Sequence, residues 1–391
     1  MNEPSRLWNR EFTVATVILL LGAASLATFF DFQKYLQSLP VPREWIGPLI
    51  GADGLAGLIV QILVTPLLNE DNARRTMVLG TVTLGVALLS YRWALSPVPL
   101  LLVRLLHGSG FVILLAALMV VIVRVIPAGR SGMAFGVISM ARLLPYALVP
   151  PLLGLFPLQP GQFGVVISAT AVVAILILPM IAVIRRPAAT DPARRSAPRP
   201  PWKLLARNLT ARPVATLLLV NLLLNSGYVV VFFFIALHAR LRGVRNPGLF
   251  FTIVTVLMLA SRLVGAPLLD RFSKRRLAIG AHWLLLLAYP SLIVGRGEPA
   301  FFAIAALAGL GWGLALPLLN ALLFDHSDPS FRAVNLNSAM ITIQASFFLG
   351  PLLGGLVMAT LGYPGLFGLC ALTTLGSILL LLSLKRTGEP T

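Results

Sequence analysis

TPLLNEDNARR (Thr65–Arg75) and APLLDRFSKRR (Ala266–Arg276) are two charged turns set between long apolar segments. Both carry Pro-Leu-Leu, both close on Arg-Arg, and they stand 201 residues apart. The same offset carries Gly108-Ser109-Gly110 onto Gly309-Leu310-Gly311, and Pro150 and Gly154 onto Pro351 and Gly355. Four separate landmarks at one offset predict an internal duplication, two halves of one design. The acid of the second copy, Asp270, has Asn69 at its aligned position in the first.

The segments around these turns decide the class. The chain has 391 residues, 58% hydrophobic and 11% charged, where a soluble domain has about 25% charged residues. Runs such as Thr13–Phe30, Leu100–Val123 and Phe367–Leu384 approach the roughly 20 helical residues that a hydrocarbon core requires, and they are apolar on nearly every face. The alternation of a membrane β-barrel is absent. The expected class is therefore an all-α integral membrane protein.

Cys370 is the single cysteine, which excludes an intrachain disulfide and a cysteine metal cluster. No HExxH, EF-hand or Walker sequence occurs, so no metal and no cofactor is expected. The first apolar segment is too long for a signal peptide and is followed by others like it. A formal charge of +18 would point to nucleic acid in a soluble protein. In a membrane chain it predicts cytoplasmic loops rich in Arg and Lys, and no nucleic-acid partner.

Twelve candidate spans lie at 12–36, 43–68, 76–95, 98–126, 132–156, 162–184, 213–238, 247–269, 277–295, 299–324, 333–360 and 364–384. An even number puts both termini on one side. If that side is cytoplasmic, it holds most of the basic residues, against an exception at Arg240–Arg245. Trp45 and Trp93 fall at outer span ends, as an aromatic belt requires. The organisation expected is a first half (1–184), a basic linker (185–212) and a second half (213–391). The linker composition predicts a tether, with a short amphipathic helix around Trp202–Leu209 on the anionic inner leaflet.

At these motifs the chain resembles the major facilitator superfamily, over nearly its whole length. The turn between spans 8 and 9 is similar to that family's G-x-L-a-D-R-x-G-R-[KR]-[KR] signature at Leu268, Asp270, Arg271, Lys274, Arg275 and Arg276, with Ala266 and Ser273 in place of glycines. The first copy departs further: Asn69, Glu70 and Asn72 replace an acid, a base and a glycine. RLLHGSG (Arg104–Gly110) resembles the span 4 motif R-x-x-[QH]-G-x-G, and GPLLGG (Gly350–Gly355) resembles a GPxxGG motif. The resemblance implies two pseudo-symmetric six-helix bundles, alternating access, and a cytoplasmic latch built from Asn69, Arg74, Arg75, Arg262, Asp270, Arg271, Arg275 and Arg276. Gly108, Gly110, Gly350, Pro351, Gly354 and Gly355 are expected to serve close helix packing.

Charges inside the spans are the candidate coupling groups. Asp31, Asp53, Arg104 and Arg142 would each cost roughly 2.5–3.5 kcal/mol against lipid, so most are expected to face the interior. At 1.5 Å per residue Asp31 and Arg104 have similar depths and could pair, while Asp53 and Arg142 sit mid-span. A carboxylate that exchanges its Arg for water or substrate can take up and release a proton. Asp31 or Asp53 is the expected proton carrier with Arg104 as counter-ion; the alternative is static ion pairs. His107 and Phe111 on span 4, and Asn221, Asn225, Tyr228 and Phe232 on span 7, form stripes expected to face a substrate cavity, with Trp312, Asn320 and Gln344 as weaker candidates. His107 could equally be a helix-helix hydrogen bonder.

The function expected is a proton-coupled antiporter exporting small amphiphilic molecules from the inner membrane of a bacterium, monomeric and non-enzymatic. The alternatives are a proton symporter importing an organic acid or sugar, with Arg104 and Arg142 binding an anion, and a transport-inactive scaffold or sensor.

Overall fold

The computed structural model describes residues 8–64, 67–126, 131–156, 162–185, 202–271 and 273–384; the side chains of 131, 132, 202, 262–271 and 333 lie outside that description. Every described element is a helix. In hydrocarbon no water is available to an unpaired N–H or C=O, and a helix satisfies these groups within one segment.

The first crossing runs as α1 (Arg10–Ala27), a 3-10 turn (Thr28–Asp31) and α2 (Phe32–Gln37). There follow α3 (Arg43–Leu63), α4 (Glu70–Ser90), α5 (Pro97–Val125) and α6 (Ser131–Leu155), and α7 (Gln162–Ala169) with α8 (Val172–Val183) completes the first set. A short α9 (Trp202–Thr210) precedes α10 (Arg212–Leu241), α11 (Gly248–Arg271), α12 (Lys274–Val294), α13 (Gly297–Asp325) and α14 (Arg332–Ser383). Among the described residues nine helical segments are long and apolar enough to cross a membrane. One of them, α14, reverses at Gly362, whose φ of 64° and ψ of −162° suit only a residue without Cβ. It therefore supplies two crossings, and with α4 and α11 the count is consistent with twelve.

Contacts divide the chain into two compact units, Met1–Arg195 and Ser196–Thr391. The amphipathic helix expected in the linker is present as α9 and belongs to the second unit. Its Asn208 amide donates to Asn335 Oδ1 at 2.6 Å, and Asn335 in turn donates to Ser327 Oγ at 2.8 Å. That chain of amides fixes α9 to the start of α14.

The duplication seen in sequence recurs as atomic contacts. In the first unit α5 crosses α3 so closely that a Cβ on Gly108 would lie 2.1 Å from Asp53 O; in the second, a Cβ on Gly309 would lie 2.8 Å from Val254 O. Gly110 abuts Leu84 and Gly80 of α4, and Gly311 abuts Leu285 and Ala281 of α12. Each of these pairs is related by the same offset of 201. The glycines remove the side chain that would hold the helices apart. Gly350 and Gly354 do the same between α14 and α10, facing Ser226 and Val230; Pro351 and Gly355 are buried beside them.

Candidate functional site

The α3–α5 crossing assembles a charged cluster in the first unit. With Gly108 against the backbone of Asp53, Arg104, one turn earlier on α5, faces the preceding turn of α3. Its Nη2 donates to Asp53 Oδ1 at 2.5 Å and to Ile50 O at 2.6 Å, and its Nε donates to Leu49 O at 2.9 Å. The guanidinium carbon lies 5.1 Å from the Phe29 ring centre and 4.8 Å from that of Phe32. Arg104 is 0% and Asp53 6% exposed, so the pair is sealed from bulk solvent in this conformation. Beside it the Tyr91 hydroxyl and His107 Nδ1 are 3.2 Å apart, and the Phe29 ring centre is 4.7 Å from that of His107. His107 is wholly buried, with Tyr91 from the end of α4 and Phe29 from the 3-10 turn beside it. Phe111 is half-buried and packs toward Gly22 on α1.

The partner of Arg104 is thus Asp53, not the Asp31 of equal depth. Depth along a helix leaves its rotation open, and the glycine crossing turns Arg104 toward α3. Asp31 is buried at the end of the 3-10 turn, which packs against α3-flanking α2 and against α6. Arg142 stands exposed on α6. Tyr146, one turn further along α6, is buried within electrostatic reach of both Arg142 and Asp53.

The second unit has the same crossing without the charges. At the offset of 201, Asp53, Arg104 and His107 correspond to Val254, Ala305 and Ala308. Its distinctive feature is aromatic. Tyr228 meets Trp312 edge-on at 5.1 Å and Phe251 at 5.9 Å, while Phe232 meets Phe251 at 5.2 Å. Trp312 and Phe232 are buried, and Tyr228 is half-buried. The expected cavity stripe on α10 divides. The Asn221 amide donates to Ala339 O at 3.1 Å and to Thr342 Oγ1 at 2.7 Å on α14, and Asn225 donates back to Asn221 O at 2.7 Å. The Asn221 amide therefore ties α10 to α14, while Asn225 bonds within α10, since a buried amide must find partners. Asn320 on α13 and Gln344 on α14 are half-buried.

The charged turns also have defined roles. Asn69 caps α4: its Oδ1 accepts from Asn72 N at 3.0 Å, and Asn72 Oδ1 accepts from Asn69 N at 2.9 Å. Two of the three departures from the family signature, Asn69 and Asn72, together make this reciprocal cap. Arg74 Nη2 donates to Ala182 O at 3.4 Å near the end of α8. The equivalent Arg275 donates through Nε to Leu381 O at 2.8 Å, and through Nη2 to Leu382 O, at the end of α14. In both units an arginine covers the free carbonyls and negative pole at the end of the last crossing. Arg75 and Arg276 are exposed. Arg262, Asp270 and Arg271 fall among the side chains outside the description. Glu70, Asp71, Arg74, Arg75, Arg124 and Arg185 line a cleft of about 400 Å³ at this end of the first unit.

Residues 12–247 and 245–391 match the Major Facilitator Superfamily. The chain belongs to the major facilitator superfamily. A stretch of 108 residues is 31% identical to the 3-(3-hydroxy-phenyl)propionate transporter of Escherichia coli (strain K12), spanning 28% of this chain and 25% of that protein. The match thus covers about a quarter of that relative's length. Among solved structures the fold is similar to the nucleoside transporter NupG, with 14% identity and a TM-score of 0.74 over 95% of this chain and 98% of that one. It is also similar to a bacterial homologue of the human lysosomal transporter Spinster in an inward-facing, occupied conformation, with 12% identity and a TM-score of 0.73 over 95% and 94%. At these identities the likeness establishes the fold.

A major facilitator chain with these crossings is a multi-pass membrane protein. Sequence reasoning missed Phe29, Phe32 and Tyr91, which enclose the Arg104 guanidinium. Their only signal is aromaticity within apolar runs, which core packing produces as readily. It also missed two ion pairs at helix ends, Glu11–Arg124 at 3.2 Å and Lys274–Asp325 at 2.7 Å.

Proposed function

We propose that the protein is a proton-coupled secondary transporter in which Asp53 and Arg104 form the proton-responsive pair. The observation that supports this reading is that Arg104 has anchors independent of Asp53: two carbonyls of α3 and two aromatic faces. A proton on Asp53 removes the negative charge without releasing the guanidinium. The pair then carries a net positive charge in a medium of low dielectric, where an uncompensated ion is costly. A conformation that admits water or an anion to Arg104 relieves that cost, so proton uptake and conformational change are linked.

On this reading the two halves, joined by the basic linker 185–212, work by alternating access in the inner membrane of a bacterium. The termini are cytoplasmic, the chain acts as a monomer, and it catalyses no chemistry. The turn residues Asn69, Arg74, Arg75, Arg262, Asp270, Arg271, Arg275 and Arg276 form the cytoplasmic latch. The first direction we assign is antiport, with protons entering as small amphiphilic molecules leave. Symport of an organic acid is the second reading, favoured by the exposed Arg142 and by the substrate in the name of the Escherichia coli relative.

The test is transport in proteoliposomes with and without an imposed pH gradient. Asp53→Asn is expected to abolish gradient-driven movement while leaving the protein folded and substrate exchange intact. Undiminished coupling in that variant overturns the assignment. Proton entry upon export supports antiport, and proton-driven accumulation supports symport.

A further inference from the structure

Two guanidiniums stand within the crossings of the first unit, and they are used differently. Arg104 is 0% exposed and donates to α3 through Nε and Nη2, leaving Nη1 without a hydrogen bond among the described residues. Arg142 makes no hydrogen bond or ion pair among the described residues and is exposed. It is the twelfth of the 25 residues of α6, about 17 Å along the helix from Ser131, so it lies at mid-membrane depth.

Most of the exposed apolar residues of α6 stand away from it, with Phe135, seven residues earlier and 47% exposed, on its own side. Met133, Met140, Leu144 and Leu148 are 58, 45, 39 and 50% exposed and share one side of α6. Arg142 is two residues from both Met140 and Leu144, a rotation of about 200° at 100° per residue, which places it on the opposite side. A guanidinium facing lipid at that depth would cost several kcal/mol, an expense that an exposed arginine avoids by meeting water. Asp53 is already held by Arg104.

We infer that Arg142 is the docking group for a carboxylate on the transported molecule. The guanidinium offers paired N–H donors in a planar fork that matches the two oxygens of a carboxylate. One fixed positive charge without a partner among the described residues is neutralised by one negative charge. A monoanion therefore enters the membrane interior as half of a neutral pair. The buried Tyr146 one turn away, within electrostatic reach of both Arg142 and Asp53, sets this site near the proton-responsive pair. The inference rests on the transporter reading above, but it concerns binding at fixed pH and does not need coupling to be correct.

The experiment measures binding to the full-length protein in proteoliposomes at one pH, without a gradient, using phenylacetate, hexanoate, their uncharged amides and phenyl phosphate. Both acids are expected to bind at least about tenfold more tightly than their amides, as a hydrogen bond to a charged group implies. Phenyl phosphate, a dianion that one guanidinium leaves half-neutralised, is expected to bind more weakly than phenylacetate. Arg142→Gln is expected to abolish the preference for acid over amide, and Arg142→Lys to restore part of it. Equal binding of acid and amide, no binding of either acid, a preference for phenyl phosphate, or an undiminished acid preference in Arg142→Gln overturns the inference. If Asp53→Asn loses gradient-driven transport but keeps the acid preference, both proposals stand. If it keeps full coupling, only the proton assignment fails.

Discussion

The two units cross their helices at the same positions and fill the crossings with opposite chemistry. In the first, Gly108 brings Asp53 against α5, and Arg104 and His107 occupy the neighbouring turns of that helix. In the second, Gly309 brings Val254 against α13, beside Ala305 and Ala308. The backbone contact survived duplication because a Cβ at either glycine would strike backbone atoms. The side chains around it were free to diverge. A scaffold fixed by small residues can thus hold an ion pair in one copy and a hydrocarbon core in the other.

The most disruptive test of this comparison is Arg104→Ala, which leaves Asp53 charged and buried. A loss of about 3–5 kcal/mol is expected, read as thermal stability in detergent. The double variant Asp53→Val with Arg104→Ala installs the residues of the second unit in the first, and should be more stable than the single one. A double variant as unstable as Arg104→Ala would show that the first unit needs its charges for folding.

Next comes the crossing itself. Gly108→Ala would place a Cβ 2.1 Å from a carbonyl oxygen, and Gly309→Ala would place one at 2.8 Å. The expected losses are about 3 kcal/mol or more for the first and about 1–2 kcal/mol for the second. Equal losses would mean that the two crossings relax alike. The smallest effects belong to the arginines at the last crossings. Arg275→Ala, which removes a 2.8 Å bond and a second close one, should cost about 1–2 kcal/mol, and Arg74→Ala, with one bond at 3.4 Å, under about 0.5 kcal/mol. The reverse order would identify the first turn as the stronger tie.

Much of the fold was legible in the sequence because hydrocarbon permits few solutions. Apolar runs gave the crossings, the offset of 201 gave the duplication, and glycines marked the close contacts. The site was legible only as an inventory. Charges within spans singled out Asp53, Arg104 and Arg142, but depth could not choose between Asp31 and Asp53 as partner of Arg104. That choice depends on helix rotation, which the Gly108 contact sets. Asn221 and Asn225 formed a polar stripe, yet a stripe does not say whether water or another helix lies opposite. Arg142 was legible as a charge within a span, but its exposure and its want of a partner among the described residues were not.

The amide chain Asn208–Asn335–Ser327 has a consequence for reach. Because α9 is fastened to the second unit, the stretch of chain between placed elements runs only from Arg185, after α8, to Trp202 at the head of α9. Fully drawn out, that leash extends about 60 Å at 3.3–3.6 Å per residue. The separation of these two points can never exceed that length.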